Sequence, residues 1–433
     1  MSNVVIVIGA GLAGCEAAWQ LAERGINVEL FEMKPEKRSP AHISPSYSEL
    51  VCSNSFRSNE LTNAVGLLKE EMRKLNSIII QSADETRIPA GGALAVDREK
   101  FANLVTEKIH SHPNIKVFEK EVTEIPEGNV IIATGPLTSE ELENNIVNLF
   151  SDNNLLNFYD SAAPIVTLDS IDMNKAFFAS RYDKGDADYI NCPMDERQYI
   201  EFYNALISAE NAPVHGFEEQ LVFEGCIPIE VMAKRGIDTM RYGPLKPVGL
   251  RDPSTGKEPY AVVQLRKDNS EGTIYNIVGF QTHLKFGEQK RVFSMIPGLE
   301  HADFVRYGVM HRNTYINSPK LLNRYYRLKQ DERISFAGQI TGVEGYVESA
   351  ASGLLCGIEV AREFQGLPPI DFPNETAIGA LALYVSAGSI SNFQPMNINF
   401  GIISPLDVKV RGKQNRNLAL SKRALDIIDN ILN

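Results

Sequence analysis

Two of the five cysteines stand where a thiol has a chemical use. Cys52 lies in "ELVCSNSFRS", Glu49 to Ser58, among small polar residues, with Arg57 five positions on. Cys226 lies in "FEGCIPIEVMAKRG", after Gly225 and ahead of Pro228, with Lys234 and Arg235 close behind. A neighbouring cation lowers the pKa of a thiol, and the thiolate is the form that attacks. Ser53, Asn54 and Ser55 give Cys52 a hydrogen-bonding setting, and Arg57 is expected to favour its thiolate. Each of the two thiols is therefore a candidate for catalysis rather than packing. The other three cysteines read as packing residues: Cys15 in the first helix, Cys192 in "YINCPMD" and Cys356 in the apolar "SGLLCGIEVA". No Cys-x-x-Cys pair and no disulfide framework exist, which points to a reducing, cytoplasmic setting.

A second constellation opens the chain. Gly9-Ala10-Gly11-Leu12-Ala13-Gly14 is G-x-G-x-x-G. The pattern is weak alone, but here it follows the apolar run Val4 to Ile8 and opens "CEAAWQLAERG", and Glu32 ends the next strand 18 residues past Gly14. That full context is the dinucleotide fingerprint. Gly9 makes the turn, Gly11 lets backbone approach a pyrophosphate, Gly14 lets the helix pack, and Glu32 accepts from a ribose hydroxyl. The helix N-terminus favours the phosphate charge.

These residues need elements to hold them. "IKVFEKEVTEI" and "NVIIATG" are strands returning to the first sheet, the second ending at Gly135. "RISFAGQITGVEGYVESAASGLLCGIEVAREF" is a late strand, glycine turn and long helix, carrying Gly338, Gln339 and Gly342. A fold closed by both ends of the chain is the FAD-binding arrangement of glutathione-reductase type, so FAD is the expected cofactor. Between them, short strands, tyrosines and turn signals suggest an insert, with "AVVQLR" and "TIYNIVGFQTHL" as an antiparallel pair. The expected fold is therefore α/β: a discontinuous Rossmann-type FAD-binding domain, 1–160 and 326–433, with an inserted α+β domain, 161–325. Residues 33–64 are too long and irregular for a simple connection, and such loops tend to be functional.

Composition sets the outer bounds. The chain has 433 residues and a net charge of −12, which argues against bulk nucleic-acid binding while leaving room for a local basic face. No apolar run approaches the ~18 residues of a membrane span, and "MSNVVIVIGAGLAG" is not expected to act as a signal peptide. No metal site is expected.

"VIGAGLAGCEAAWQLAERG", "ELVCSNS", "PAGGALAVDR", "FEGCIPIEVMAKRG", "GPLKPVGL", "NIVGFQTHLK", "GVMHRNTYINSP" and "AGQITGVEGYVESAASG" together resemble the folate- and FAD-dependent tRNA (uracil-5-)-methyltransferases, the TrmFO family. The likeness runs continuously from residue 3 to about 405. The late glycine segment is also similar to MnmG, a longer tRNA-modifying flavoprotein.

The resemblance implies formation of 5-methyluridine in the T-loop of tRNA. The carbon would come from 5,10-methylenetetrahydrofolate and the electrons from reduced FAD, itself reduced by NAD(P)H. It makes Cys226 the nucleophile at uracil C6 and Cys52 its partner, a general base at C5 or a thiol that helps release the product; the residues alone leave that order open. It makes His283, His311 and Asn313 candidates for holding folate. RNA would be met by basic runs: Lys34, Lys37 and Arg38; Lys285, Lys290 and Arg291; "KLLNRYYRLK" from 320 to 329; and Lys409, Arg411, Lys413 and Arg416. Four alternatives stand beside this. A ribosomal-RNA paralogue would share the chemistry. A non-catalytic MnmG-like flavoprotein would not need both polar thiols. A disulfide reductase would need a close cysteine pair, and an S-adenosylmethionine enzyme would not need the late glycine turn.

Overall fold

Val4–Ile8, with Val5 and Val7 fully buried, forms the centre of a six-stranded sheet because helices cover both of its faces. The sheet runs Arg327–Leu328, Asp331–Phe336, Asn129–Ile132, Val4–Ile8, Asn27–Glu32, Ile115–Glu119. All neighbours are parallel except the first pair. One strand, Asn129–Ile132, thus separates the late strand from the first, and early and late segments of the chain build one sheet. This is the Rossmann-type FAD-binding fold. The computed structural model describes residues 4–432 apart from 151–154, 162, 184–185, 213–226, 309 and 389–392.

Two helices dominate the packing on this sheet: the opening helix Leu12–Ala22 and the late helix Tyr346–Phe364. Their backbones touch. A Cβ on Gly353 would lie 2.2 Å from the Ala13 carbonyl oxygen, and one on Gly357 would lie 2.7 Å from that of Ala17. Gly14 serves the same closeness on the other side, its Cβ position being 1.8 Å from the Gly9 oxygen. Small residues at the crossing bring both helix N-termini to one place.

A second six-stranded sheet is wholly antiparallel: Phe177–Ala179, Tyr189–Met194, Ala261–Lys267, Ile274–Ile277, Ile165–Thr167, Phe304–Arg306. "AVVQLR" and "TIYNI" pair as expected, Leu265 opposite Ile277. The second strand is shorter than the sequence suggested, because the chain turns at Gly279, φ +78°. This sheet has its own apolar core, including Tyr199, Phe202, Phe280 and Phe293. A two-stranded ribbon, Leu155–Ser161 with Met310–Ile316, connects the regions.

The long loop after Glu32 is less open than its polarity suggested. Ala41, Tyr47, Leu50 and Phe56 are buried in it, and Ser55–Ser58 pairs with Ala93–Val96. No helix among the described residues is long and apolar enough to cross a membrane.

Candidate active site

The glycine turn lines one cavity with Gly9, Ala10, Gly11, Leu12 and Ala13. Gly9 has φ +97°, and a Cβ there would meet the Ala133 carbonyl at 2.7 Å, so only glycine makes this turn. Nothing lies within 4 Å of a Cβ built on Gly11, which leaves that stretch of backbone open to the cavity. Gly14 does not line it; it is spent on helix packing. Glu32 does. Its two carboxylate oxygens accept from the backbone N–H of Ala10 at 2.8 Å and Lys34 at 3.0 Å, fixing the turn to the next strand. Each oxygen keeps a further lone pair.

The opposite rim comes from Gly135 and from Gly338 and Gln339 of the late turn, beside Glu344, Gly345 and Tyr346 at the start of the late helix. Gly342 is not in the lining. Two helix N-termini therefore face one space, and N-termini with open backbone favour anionic groups. With Glu32 and the bare Gly11 backbone, the donor set fits a dinucleotide.

The thiol wall follows. Cys52 lines the same cavity, and its sulfur lies 3.0 Å from the Tyr346 hydroxyl. That oxygen also accepts from the backbone N–H of Cys52 at 2.8 Å and of Ser53 at 3.2 Å. A phenol oxygen has two lone pairs and one proton. With both lone pairs engaged, the proton is directed at the sulfur. Burial, reinforced by negative charge on Cys52, pushes the Tyr346 phenol well above its ordinary value, so it remains a donor. Hydrogen bonding to the charged form favours a thiolate.

Behind the loop stand buried arginines. Arg98 donates to the carbonyls of Leu50 and, at 3.2 Å, Val51, and grips Asp268 through Nε at 3.2 Å and Nη2 at 2.9 Å. Arg266, also in the lining, donates to Asn54 at 3.0 Å and Ser53 at 2.7 Å. Asn54 in turn donates to the Val96 and Lys267 carbonyls, both at 2.9 Å. The loop carrying Cys52 is thus laced to the antiparallel sheet.

Arg57 has a partner of its own. It lines the cavity, but its guanidinium is ion-paired with fully buried Glu348 of the late helix. The sulfur meets the Tyr346 hydroxyl, and Arg98 adds positive potential there. Reading along the chain found Arg57 because it is near in sequence; Tyr346 is 294 residues away.

His42 was also missed. It lines the cavity, Nδ1 2.6 Å from the Ser39 hydroxyl, and burial with Lys34 nearby lowers its pKa to about 4, so it is a neutral ring at pH 7. Its only signal was membership of the long loop.

Asn313 joins the lining. His283 does not; its ring faces buried Glu230, which also accepts from the His283 N–H at 3.0 Å and the Thr282 hydroxyl at 2.8 Å. His311 belongs to the ribbon strand Met310–Ile316, opposite Asp160. Cys226 lies outside the described residues. Ile229, three residues on, donates to the carbonyl of Gln281, which lines the cavity.

Most of the basic runs are already engaged. Lys34 is buried with its ammonium on the Ser46 carbonyl. Lys37 pairs with Glu121, Lys285 with Glu210, Arg291 with Glu288, Arg324 with Asp371 and Arg327 with Glu363. Lys409, Arg411, Lys413 and Arg416 are exposed.

Paired glycine turns on a parallel sheet, two converging helix N-termini and an acidic residue ending the second strand define a dinucleotide-binding protein of the FAD-binding fold class. A family model described as "Glucose inhibited division protein A" matches residues 4–368. The chain belongs to that family, and within it to the TrmFO branch. It is 62% identical over 431 residues to "Methylenetetrahydrofolate--tRNA-(uracil-5-)-methyltransferase TrmFO" of Bacillus licheniformis, covering 100% of this chain and 99% of that one. It is 63% identical over 429 residues to the protein of the same name from Acetivibrio thermocellus, covering 99% and 98%. Among solved structures, Aquifex aeolicus GidA in its form II crystal superposes with a TM-score of 0.71 at 15% identity, over 99% of this chain and 75% of that one. At that identity the likeness speaks to the fold.

Proposed function

We propose that this chain converts a T-loop uridine of tRNA to 5-methyluridine, taking the carbon from 5,10-methylenetetrahydrofolate. The observation that carries the reading is the shared cavity: the dinucleotide turns and the Cys52 thiol face the same space. The names of the full-length relatives point the same way.

Uracil C5 is a poor nucleophile until a thiolate adds to C6. C5 then attacks the methylene carbon, a base takes the C5 proton as tetrahydrofolate leaves, and hydride adds to the exocyclic methylene as the thiolate departs from C6. FAD, when bound, supplies that hydride and NAD(P)H restores it. Gly9 to Ala13, Glu32, Gly135, Gly338 and Gln339 would hold FAD, while Gly14 and Gly342 shape the turns. Cys226 is assigned the attack at C6. Cys52 is assigned the C5 proton, its thiolate favoured by the Tyr346 hydroxyl and the charge of Arg98. Asn313 is assigned a polar contact to folate, with His283 and His311 as further candidates. In this reading residues 1–160 and 326–433 hold the cofactor and 161–325 present the RNA.

The test is incubation with undermodified tRNA, NADPH, added FAD and methylenetetrahydrofolate labelled in its methylene carbon. Label is expected in 5-methyluridine at the T-loop, and S-adenosylmethionine must not substitute. Label in ribosomal RNA alone would move the target; none in either would end the proposal. Cys226→Ala is expected to abolish a covalent complex with RNA containing 5-fluorouracil.

A further inference from the structure

Residues 234–257 hold six cations and two carboxylates in a chain of net charge −12. Lys234, Lys246, Arg251 and Lys257 are exposed, and among the described residues none of the four is in an ion pair. This sets the stretch apart from the early loop and the 285–329 region, where carboxylates or carbonyls already hold most of the cations. Aromatic surface lies in the same place. Tyr242 is 83% exposed and Tyr182 59%. Tyr182 belongs here through its contacts: its N–H donates to the Gly249 carbonyl at 2.9 Å, and a Cβ on Gly249 would lie 2.8 Å from its ring. Arg181 donates to the Val248 carbonyl at 3.0 Å.

The stretch adjoins the cavity. Pro244 packs on Gly279, where a Cβ would lie 2.4 Å away, and Gln281 two residues on lines the cavity. Arg181 also donates to Gln264 at 2.9 Å, two residues before the lining Arg266. Cations without carboxylate partners attract phosphates, and exposed rings stack on bases whatever their identity.

We propose that residues 234–257, with Tyr182, form the surface that receives the RNA strand leading into the cavity. Lys246 and Arg251 contact phosphates, and Tyr242 stacks on an unpaired base. This rests on the RNA substrate proposed above and adds where that RNA lies. A protein partner with an acidic surface is the competing occupant; exposed tyrosine beside unpaired cations favours RNA.

The experiment measures binding of a fluorescently labelled T-arm stem-loop RNA to the full chain between about 50 and about 200 mM salt. Lys246→Gln with Arg251→Gln is expected to weaken binding at least about 10-fold and to lower the slope of log affinity against log salt by roughly 2. Tyr242→Ala is expected to weaken binding about 5-fold or more with the slope unchanged. Thermal midpoints should match wild type, as these side chains are on the surface; should the double variant melt early, Lys257→Gln in its exposed turn replaces it, with a slope change of about 1. Wild-type affinity and slope in these variants would overturn the proposal, as would displacement of the RNA by polyglutamate combined with no effect of Tyr242→Ala. The outcomes separate from the catalytic reading. Wild-type protein that transfers carbon while the variants bind normally sinks this surface alone. Wild-type protein that binds the stem-loop through these residues but transfers no carbon sinks only the chemistry.

Discussion

The two walls of the cavity are built by different means. The wall on the parallel sheet is almost all backbone: Gly9, Gly11, Gly135 and Gly338, with helix N-termini behind them. The wall carrying Cys52 is made of side chains, with a phenol, a thiol and buried guanidiniums holding one another in place. The first recognises by shape and by the fixed dipoles of its peptide groups, so it tolerates no added atom at its crossing. The second recognises through charge, so it depends on every buried charge keeping a partner. They should therefore fail in different ways.

The largest effect is expected at the helix crossing. Gly353→Ala places a Cβ 2.2 Å from the Ala13 carbonyl oxygen, and backbone cannot step aside as a side chain end can. Overpacking of this kind costs about 3 kcal/mol or more, read as loss of soluble protein or a much lower thermal midpoint. Gly11→Ala sharpens the contrast. It has room for the methyl and an ordinary φ of −75°, so the flavin-free thermal midpoint should barely move while retention of FAD falls. Equal loss of stability in both variants would remove the distinction between packing glycine and ligand-facing glycine.

The second effect tests the charged wall. Asp268→Asn leaves Arg98, whose side chain is 15% exposed, without its carboxylate. Breaking such a pair costs about 3 kcal/mol. Removing both charges, Arg98→Met with Asp268→Leu, should recover much of that loss, because the expense lies in the orphaned charge. Chemical denaturation of the three proteins gives the comparison. A double variant no better than the single would mean that the Arg98 contacts to Leu50 and Val51, not its charge, hold the loop.

The same contrast explains what reading along the chain could find. The glycine wall was legible, because G-x-G-x-x-G, Glu32 and the late turn each require a residue type at a fixed local spacing. The antiparallel strand pair was legible for the same reason. The charged wall was not, because its partners meet only after folding: Cys52 with Tyr346, Arg57 with Glu348, and Arg98 with Asp268 are 294, 291 and 170 residues apart. Arg57 was in view from the thiol along the chain, whereas Tyr346 was not. The basic runs near 34, 285 and 324 show the converse, since charge counted along the sequence does not record the carboxylates and carbonyls that several of these cations meet in space.

The smallest effect concerns how the charged wall answers to pH. Lys69 sits behind that wall on the helix Ala64–Lys74. Its ammonium is fully buried and donates to the carbonyls of Phe56 at 2.8 Å and Ser58 at 2.7 Å, anchoring the strand that follows the Cys52 loop. Burial lowers its pKa to about 7, with Arg57 and Arg73 adding repulsion. An unfolded lysine holds its proton to about pH 10. Between about pH 7 and 10, then, the unfolded chain binds a proton that the folded one does not, and this group makes stability rise with pH across that window. Nearby Glu71 works in the opposite sense. Burial raises it to about 8, so its contribution is full below the unfolded carboxylate value and is lost as pH rises through 8. Wild-type stability alone would blend the two, together with buried thiols such as Cys15, raised to about 12. The difference between wild type and Lys69→Met cancels the shared groups. The stability of wild type relative to that variant should be lowest and flat below about pH 7 and climb toward pH 9. Thermal midpoints of the two proteins that stay parallel from pH 6 to 9 would mean that the carbonyls of Phe56, Ser58 and, at 3.3 Å, Arg57 keep Lys69 charged throughout.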